Sequence, residues 1–284
     1  MTTLSSVILK KWGGILIKKE SKSLINQGLK IPRNHYNIME ERKINGYIDI
    51  HCHIIPHVDD GARSSTQALR MIDIAYSNGI RGMIATPHYE VGKSDDNKEE
   101  IEKNFEKLKK LVAKKYPDFE IYLGNEIFYS YGVVDTLEEG RIFTLAGSDY
   151  VLVEFSPNDK YKYISESLYE LVNNGYTPVL AHCERYEEVM ADIENVERLV
   201  DAGVYIQINA HTIAGKYGRG IRKKVLKMIK NDLVHFIGTD THSDGHHSPD
   251  LEECIKYLIK KTDEETVERL LSVNPRKILA KDYI

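Results

Sequence analysis

The sequence predicts an α/β fold built on parallel strands, and a seven-stranded (β/α) TIM-like barrel in preference to an open sheet. Three observations predict it. From Tyr47 onward, short β-rich runs alternate seven times with longer helical patterns, as βα units do. Runs such as MIATP and PVLAH are almost wholly apolar, which fits strands covered on both faces. Each run also carries an acid, amide or imidazole near its C-terminal end, the rim that bears the chemistry in a barrel of this kind.

The strands are expected at 47–53 (YIDIHCH), 82–88 (GMIATPH), 119–127 (FEIYLGNEI), 150–156 (YVLVEFS), 177–185 (TPVLAHCER), 204–210 (VYIQINA) and 234–242 (VHFIGTDTH). The first ends in His51 and His53, the second in His88, the third in Glu126 and the fourth in Glu154. The fifth brings His182 and Arg185, the sixth Asn209, and the seventh Asp240 with His242. Side chains at i and i+2 of a strand share a face, so His51 and His53 aim together, as do Asp240 and His242. Two such pairs on the first and last strands become neighbours only if the sheet closes, which favours the barrel. Helical patterns fall at 64–78, 97–115, 163–174, 188–202, 221–231 and 250–260. Gly79, Gly175 and Gly203 follow three of them as C-terminal caps do. The second helix shows Ile101, Phe105, Leu108, Leu111 and Val112 at 3–4 spacing. No GxGxxG follows the first strand and no GxxxxGK[ST] occurs, so the nucleotide-binding fingerprints are missing.

Composition excludes other classes. The 284 residues are 42% hydrophobic and 29% charged, ordinary for a soluble globular protein, and no run of about 18 apolar residues offers a membrane span. Cys52, Cys183 and Cys254 are odd in number and form no CxxC, which points to a reduced, cytoplasmic setting. The net charge of −4 is uneven: residues 1–46 hold nine Lys/Arg against three Asp/Glu, leaving an acidic body. That body disfavours nucleic acid. The extension 1–46 is expected to be a poorly ordered leader, or sequence upstream of a later start such as Met39. Its alternative is a basic arm that touches anionic membrane or a partner. The run KKVLKMIK (223–230) reads as a basic helix face.

Buried ionisable groups are costly unless paired or bound to metal. Several converging on one rim point to cations. Imidazole and carboxylate without thiolate suit manganese, iron or zinc, and the hard carboxylates lean to manganese or iron, in two or three ions. Such a site commonly cleaves phosphate esters: one ion acidifies water and another neutralises phosphate charge. Arg185 could hold the phosphate as a fork, or pair with Glu187 or Glu188 instead. Neither Cys52 nor Cys183 is followed by an arginine at the CxxxxxR offset, so no cysteinyl-phosphate is expected.

Taken together, DIHCH with VDDG, ATPH, GNEI, LVEFS, AHCERY, GTDTH and the terminal NPRKIL resemble the PHP (polymerase and histidinol phosphatase) superfamily. Within it they are most similar to bacterial tyrosine-protein phosphatases of capsule and exopolysaccharide operons. The resemblance covers about Tyr47 to Ile284. It implies a distorted seven-stranded barrel with three metal ions, usually manganese. The implied ligands are His51, His53, Glu126 and Asp240 for one ion, and Asp60, His88 and His242 for the second. Glu126, Glu154 and His182 would serve the third. Arg185 matches the phosphate-contacting arginine. The alignment favours Asp60 over its neighbour Asp59, which would then cap the following turn, and Asp60 could also assist the leaving group. The implied reaction is attack of metal-activated hydroxide on phosphotyrosine carried by a cognate tyrosine kinase of the capsule machinery. Another phosphoesterase of the superfamily, such as a histidinol-phosphate phosphatase, is the alternative; an amidohydrolase is disfavoured because no lysine ends a strand. Two features depart from the pattern: the extra 46 residues, and DTHSDGHH, where His246 or His247 stands in place of a second phosphate-binding arginine. His211 is a candidate for the pocket lining, and Tyr186 and Tyr161 for stacking on an aromatic substrate.

Overall fold

The computed structural model describes residues 46–94 and 97–284; the N-terminal extension, with Met39, lies outside the described residues. Nine strands form among the described residues, all neighbours parallel: β1 Tyr47–Cys52, β2 Ile80–Ala85, β3 His88–Glu90, β4 Glu120–Leu123, β5 Glu126–Phe128, β6 Tyr150–Glu154, β7 Thr177–Leu180, β8 Tyr205–Asn209 and β9 Phe236–Gly238. They make a three-stranded sheet, β1-β2-β4, and a six-stranded sheet, β3-β5-β6-β7-β8-β9.

The nine arise from the seven expected strands because two of them break. Pro87, which has no N–H to donate, separates β2 from β3, and Gly124-Asn125 separates β4 from β5. Backbone and side-chain hydrogen bonds span both breaks. Gly124 N donates to Ala85 O (2.8 Å), and Pro87 O accepts from Glu126 N (3.1 Å) and Asn125 Nδ2 (2.9 Å). At the far edges, Cys52 and Thr241 form a parallel bridge, with Asp240 N on His51 O and His53 N on Thr241 O, each at 2.9 Å.

The main helices are α1 Ser65–Ser77, α2 Lys98–Lys115, α3 Val133–Glu138, α4 Tyr161–Asn173, α5 Ile193–Asp201, α6 Ala210–Ala214, α7 Arg219–Lys230, α8 Glu252–Lys261, α9 Glu264–Glu268 and α10 Asn274–Leu279. Ser64 and Asp192 cap α1 and α5 by accepting from Gln67 N and Glu194 N. Gly79, Gly175 and Gly203 have φ of 83°, 87° and 91°, the left-handed residues that end a helix. The short α3, α6, α9 and α10 escape the sequence reading because each is too brief to show a period. No helix among the described residues is long and apolar enough to cross a membrane.

Two apolar clusters hold the fold. The larger fills the space between strands and helices, with Met71, Leu108, Leu168, Leu199 and Ile229 facing Met83, Val151 and Ile206. The smaller, with Ile48, Ile50, Leu152, Val179 and Phe236, lies on the opposite strand face. Along that face the period of two runs from floor to mouth: Tyr150 and Leu152 lead to Glu154, and Tyr205 leads to Gln207 and Asn209. An apolar plug thus lies beneath the polar ends.

Candidate metal centre and catalytic mouth

The structure brings all nine expected side chains to one place. His51 Nε2 lies 3.1 Å from Glu126 Oε1 and 3.5 Å from Asp240 Oδ1; His53 Nε2 lies 3.1 Å from Glu126 Oε2. His88 Nδ1 is 3.2 Å from Glu126 Oε2 and 3.1 Å from Glu154 Oε1. His182 Nε2 is 2.8 Å from Glu126 Oε1 and 3.6 Å from Glu154 Oε2. Asp60 Oδ1 stands 3.5 Å from His88 and 3.3 Å from His242.

Among the described residues three overlapping groups could hold ions, each with its donor atoms within 4.8 Å of one another: His51, His53, Glu126 and Asp240; His53, Asp60, His88 and His242; and His88, Glu126 and Glu154. Glu126 is shared and fully buried. Its Oε2 makes no hydrogen bond among the described residues although two imidazoles stand within 3.2 Å, which leaves it a lone pair for a cation. The donor set and this orphaned oxygen fit a divalent metal.

Charge follows the same geometry. Burial opposes ionisation of Glu126, but His51, His182 and His53 hold its carboxyl well below the usual range. Burial likewise opposes a charge on His182, and Glu126 and Glu154 overcome it, raising its pKa to about 9. Asp240, despite burial, is drawn down to about 2 beside His51, His182 and Arg185. Burial and the nearby His53 push His242 down.

Behind these atoms sits a row of orienting groups. Asp59 and Asp60 divide their work: Asp59 accepts from His53 Nδ1 (2.8 Å), Gly61 N (3.0 Å) and His88 N (3.3 Å), while Asp60 faces the mouth. Asp59 thus caps the turn, as the sequence suggests, and also aims an imidazole. Gln207, unremarked in the sequence, accepts from His51 Nδ1 (3.1 Å) and His182 N (2.8 Å). Its amide donates to Asn209 Oδ1 (2.8 Å), whose amide donates to Asp240 Oδ2 (2.8 Å). A strand glutamine two residues before Asn209 on the same face is the signal that could have found it. His182 (φ 32°) and Asp240 (φ 52°) hold left-handed backbone, a strain that surrounding bonds sustain at functional positions.

Arg185 lies in the turn after β7 and pairs with Asp240 Oδ2 at 2.5 Å, not with Glu187 or Glu188; Glu188 pairs with Lys160. Glu184 accepts from Asn209 N (3.0 Å) and Thr212 Oγ1 (2.7 Å). Tyr186 is fully buried and its hydroxyl lies 3.3 Å from His182 Nδ1, so it supports that ring and cannot stack on a substrate. Tyr161 donates to Asn195 O (3.1 Å). His211 is buried with Nε2 3.1 Å from Ser248 O, and its ring lies 5.7 Å from the half-buried His247; His246 is exposed. The three cysteines are buried, and burial pushes their thiols up, which removes them as nucleophiles.

The family profile described as capsular polysaccharide synthesis, CpsB/CapC, matches residues 47–280. The chain belongs to the CpsB/CapC family. It is 31% identical over 242 residues to the tyrosine-protein phosphatase CpsB of Streptococcus pneumoniae, covering 84% of this chain and all of that protein. Tyrosine-protein phosphatase YwqE of Bacillus subtilis (strain 168) is 30% identical over 237 residues, 84% of this chain and 93% of that one. Among solved structures, one from a study of YwqE and CpsB, described as unique metal-dependent tyrosine phosphatases, superposes with a TM-score of 0.77 at 30% identity. It covers 84% of this chain and 96% of that one. Like these CpsB/CapC proteins, the chain has an α/β fold of parallel strands.

Proposed function

We propose that this CpsB/CapC chain is a metal-dependent protein-tyrosine phosphatase, a phosphoric monoester hydrolase acting on phosphotyrosine of a cognate bacterial tyrosine kinase in capsule or exopolysaccharide synthesis. One observation carries the reading: three overlapping imidazole–carboxylate groups meet at one mouth, two of them sharing Glu126 with its orphaned oxygen, beside an arginine fork. His51, His53, Glu126 and Asp240 would hold one ion and Asp60, His88 and His242 a second. Glu154 and His182 would join Glu126 around a third. The hard carboxylates lean to manganese or iron, and the family resemblance favours manganese. When bound, the ions supply acidified water and neutralise charge on a phosphoryl group. Arg185, released from Asp240, turns its fork to the equatorial phosphate oxygens, where charge builds as the ester bond breaks. Phenolate leaves readily, so a strong general acid is less necessary; Asp60, at the exposed edge of the mouth, or a nearby histidine could assist.

We also read the two sheets as one interrupted seven-stranded barrel, supported by the Cys52–Thr241 bridge and the bonds that span both strand breaks. Residues 47–284 are read as the catalytic domain and residues 1–46 as a basic extension to it, through which any membrane contact would run. The three free cysteines support a cytoplasmic setting. The test is hydrolysis of a phosphotyrosine peptide and of p-nitrophenyl phosphate, with metal content, for wild type and His182→Ala. The reading requires loss of turnover on chelation, restoration by manganese, and a crippled variant. Undiminished activity in excess EDTA would refute it.

A further inference from the structure

The segment Lys216 to Lys230 holds seven Lys/Arg and no acidic residue, in a chain whose net charge is −4. Arg222 is engaged, with its guanidinium 3.2 Å over the Tyr257 ring, and Lys224 donates to Met190 O (3.1 Å). Lys216, Arg219, Lys223, Lys227 and Lys230 are exposed, and none of the five makes an ion pair among the described residues. On two other helices exposed cations do meet acids one turn away, Lys162 with Glu166 and Arg198 with Glu194. A row of unpaired like charges repels itself, so it persists at a cost that a partner of opposite sign would relieve.

Its position ties it to the mouth. Lys216 N donates to His211 O (3.0 Å) and Gly215 N to Thr212 O (3.0 Å), while Thr212 Oγ1 is bonded to Glu184, the neighbour of Arg185. Helix α7 therefore starts at the rim and, as a crossover between parallel strands, runs down the outer wall. Beside it, between α5 and α7, lies a groove of about 240 Å³ with Met190, Ile193, Val196 and Met228 among its walls and Lys224 and Lys227 at its edge.

We infer that Lys216 and the outer face of α7 dock an acidic stretch of the polypeptide whose phosphotyrosine enters the mouth, with an apolar side chain of that stretch seated in the α5–α7 groove. The inference rests on the phosphatase reading and names the flanking chemistry of its substrate. A peptide fits better than a bilayer. The apolar residues Val225, Met228 and Ile229 of α7 are buried inward, so the helix offers a membrane charge without an anchor. A groove of this size suits one or two side chains.

The test uses full-length, manganese-loaded protein and an Arg219→Glu/Lys223→Glu/Lys227→Glu variant. Fluorescent phosphotyrosine peptides with Asp/Glu flanks are compared with the same peptides carrying Asn/Gln. Binding is read by anisotropy, and p-nitrophenyl phosphate hydrolysis is read in parallel. Wild type should bind the acidic peptide about tenfold more tightly at low salt, the preference should shrink as salt rises, and the variant should lose it while keeping its p-nitrophenyl phosphate turnover. Equal affinity for both peptides in wild type, or a preference that survives in the variant, overturns the docking surface. So does a variant that keeps the preference and loses only its binding to phosphatidylglycerol vesicles, which would make the face a membrane contact. Loss of p-nitrophenyl phosphate turnover in wild type with the peptide preference intact would instead sink the catalytic reading and leave the docking face standing.

Discussion

At the scale of single residues, the mouth depends on groups that touch no substrate. Gln207 holds an imidazole and a backbone amide with one carbonyl oxygen, and reaches Asp240 through Asn209. A Gln207→Leu variant should fold, yet lose roughly 10–100-fold in metal affinity, because His51 is freed to rotate and Asn209 loses its anchor. Isothermal titration of the stripped protein with manganese measures this; unchanged affinity would refute the relay. In the proposed reaction Arg185 acts differently, on phosphate. Arg185→Ala should keep its metal and lose about 100-fold in kcat/KM toward p-nitrophenyl phosphate, with Arg185→Lys in between because it keeps charge but not the fork. The contrast explains what the sequence made legible. HxH, DxH and the strand-end glutamates announce themselves by type and spacing. Gln207 has a neutral side chain in an ordinary strand, and its partners lie on other strands, so its value exists only after folding. Asp59 and Asp60 are adjacent and alike in type, and only the backbone turn sends one inward and one to the rim.

At the scale of elements, the alternation of strands and helices was readable, and the breaks were less so. Pro87 and Gly124 are visible in the text, but a continuous strand with a kink would use the same residues. What decides is close packing: a Cβ on Gly124 would lie 2.8 Å from Leu145 Cδ2, and one on Gly61 would lie 2.2 Å from His53 O. Gly61 lets the Asp59–Gly61 turn lie flat against the first ligand strand. Gly61→Ala must push that turn away, since the obstacle is backbone, and should cost both stability and the Asp59–His53 bond; a drop in melting temperature with weakened manganese binding tests it. The other joint, between β8 and β9, has a pH signature. His235 Nδ1 accepts from Ile206 N (3.1 Å), and burial and Arg269 lower its pKa to about 4. A folded pKa below the unfolded value of about 6.5 means the unfolded chain binds the proton first, so this contribution is complete above pH 6.5 and fades as pH falls toward 4. Between pH 7 and 5 the loss is about 2 kcal/mol. Urea unfolding of wild type and His235→Asn at both pH values should show a shallower decline in the variant; parallel declines would remove His235 from the account.

For the whole molecule, the question is how an apolar plug tolerates a crowd of carboxylates and imidazoles directly above it. Ile48, Ile50, Leu152, Val179 and Phe236 fill the space below and exclude water, which raises the cost of every unpaired charge at the mouth. Without cations, the imidazoles near Glu126 must carry protons to balance it: His182 is held near 9, and Asp59 and Glu126 together outweigh burial to lift His53 as well. A bound metal would displace those protons and take over the balance, so binding and folding would share one free energy. Ligand that binds only the native state stabilises it by RT ln(1 + [L]/Kd), roughly 4 kcal/mol at a thousandfold excess over Kd. For a domain of this size that is a rise of roughly 10 °C in Tm. Calorimetry of stripped protein with and without manganese should show the rise, and the rise should shrink as pH is lowered, because protons then compete for the same imidazoles. His182→Ala, which removes one ligand beside Glu126, should show a smaller rise than wild type at every pH. A Tm indifferent to manganese in wild type would mean that these nine side chains balance one another without an ion, and the mouth would have no metal with which to perform hydrolysis.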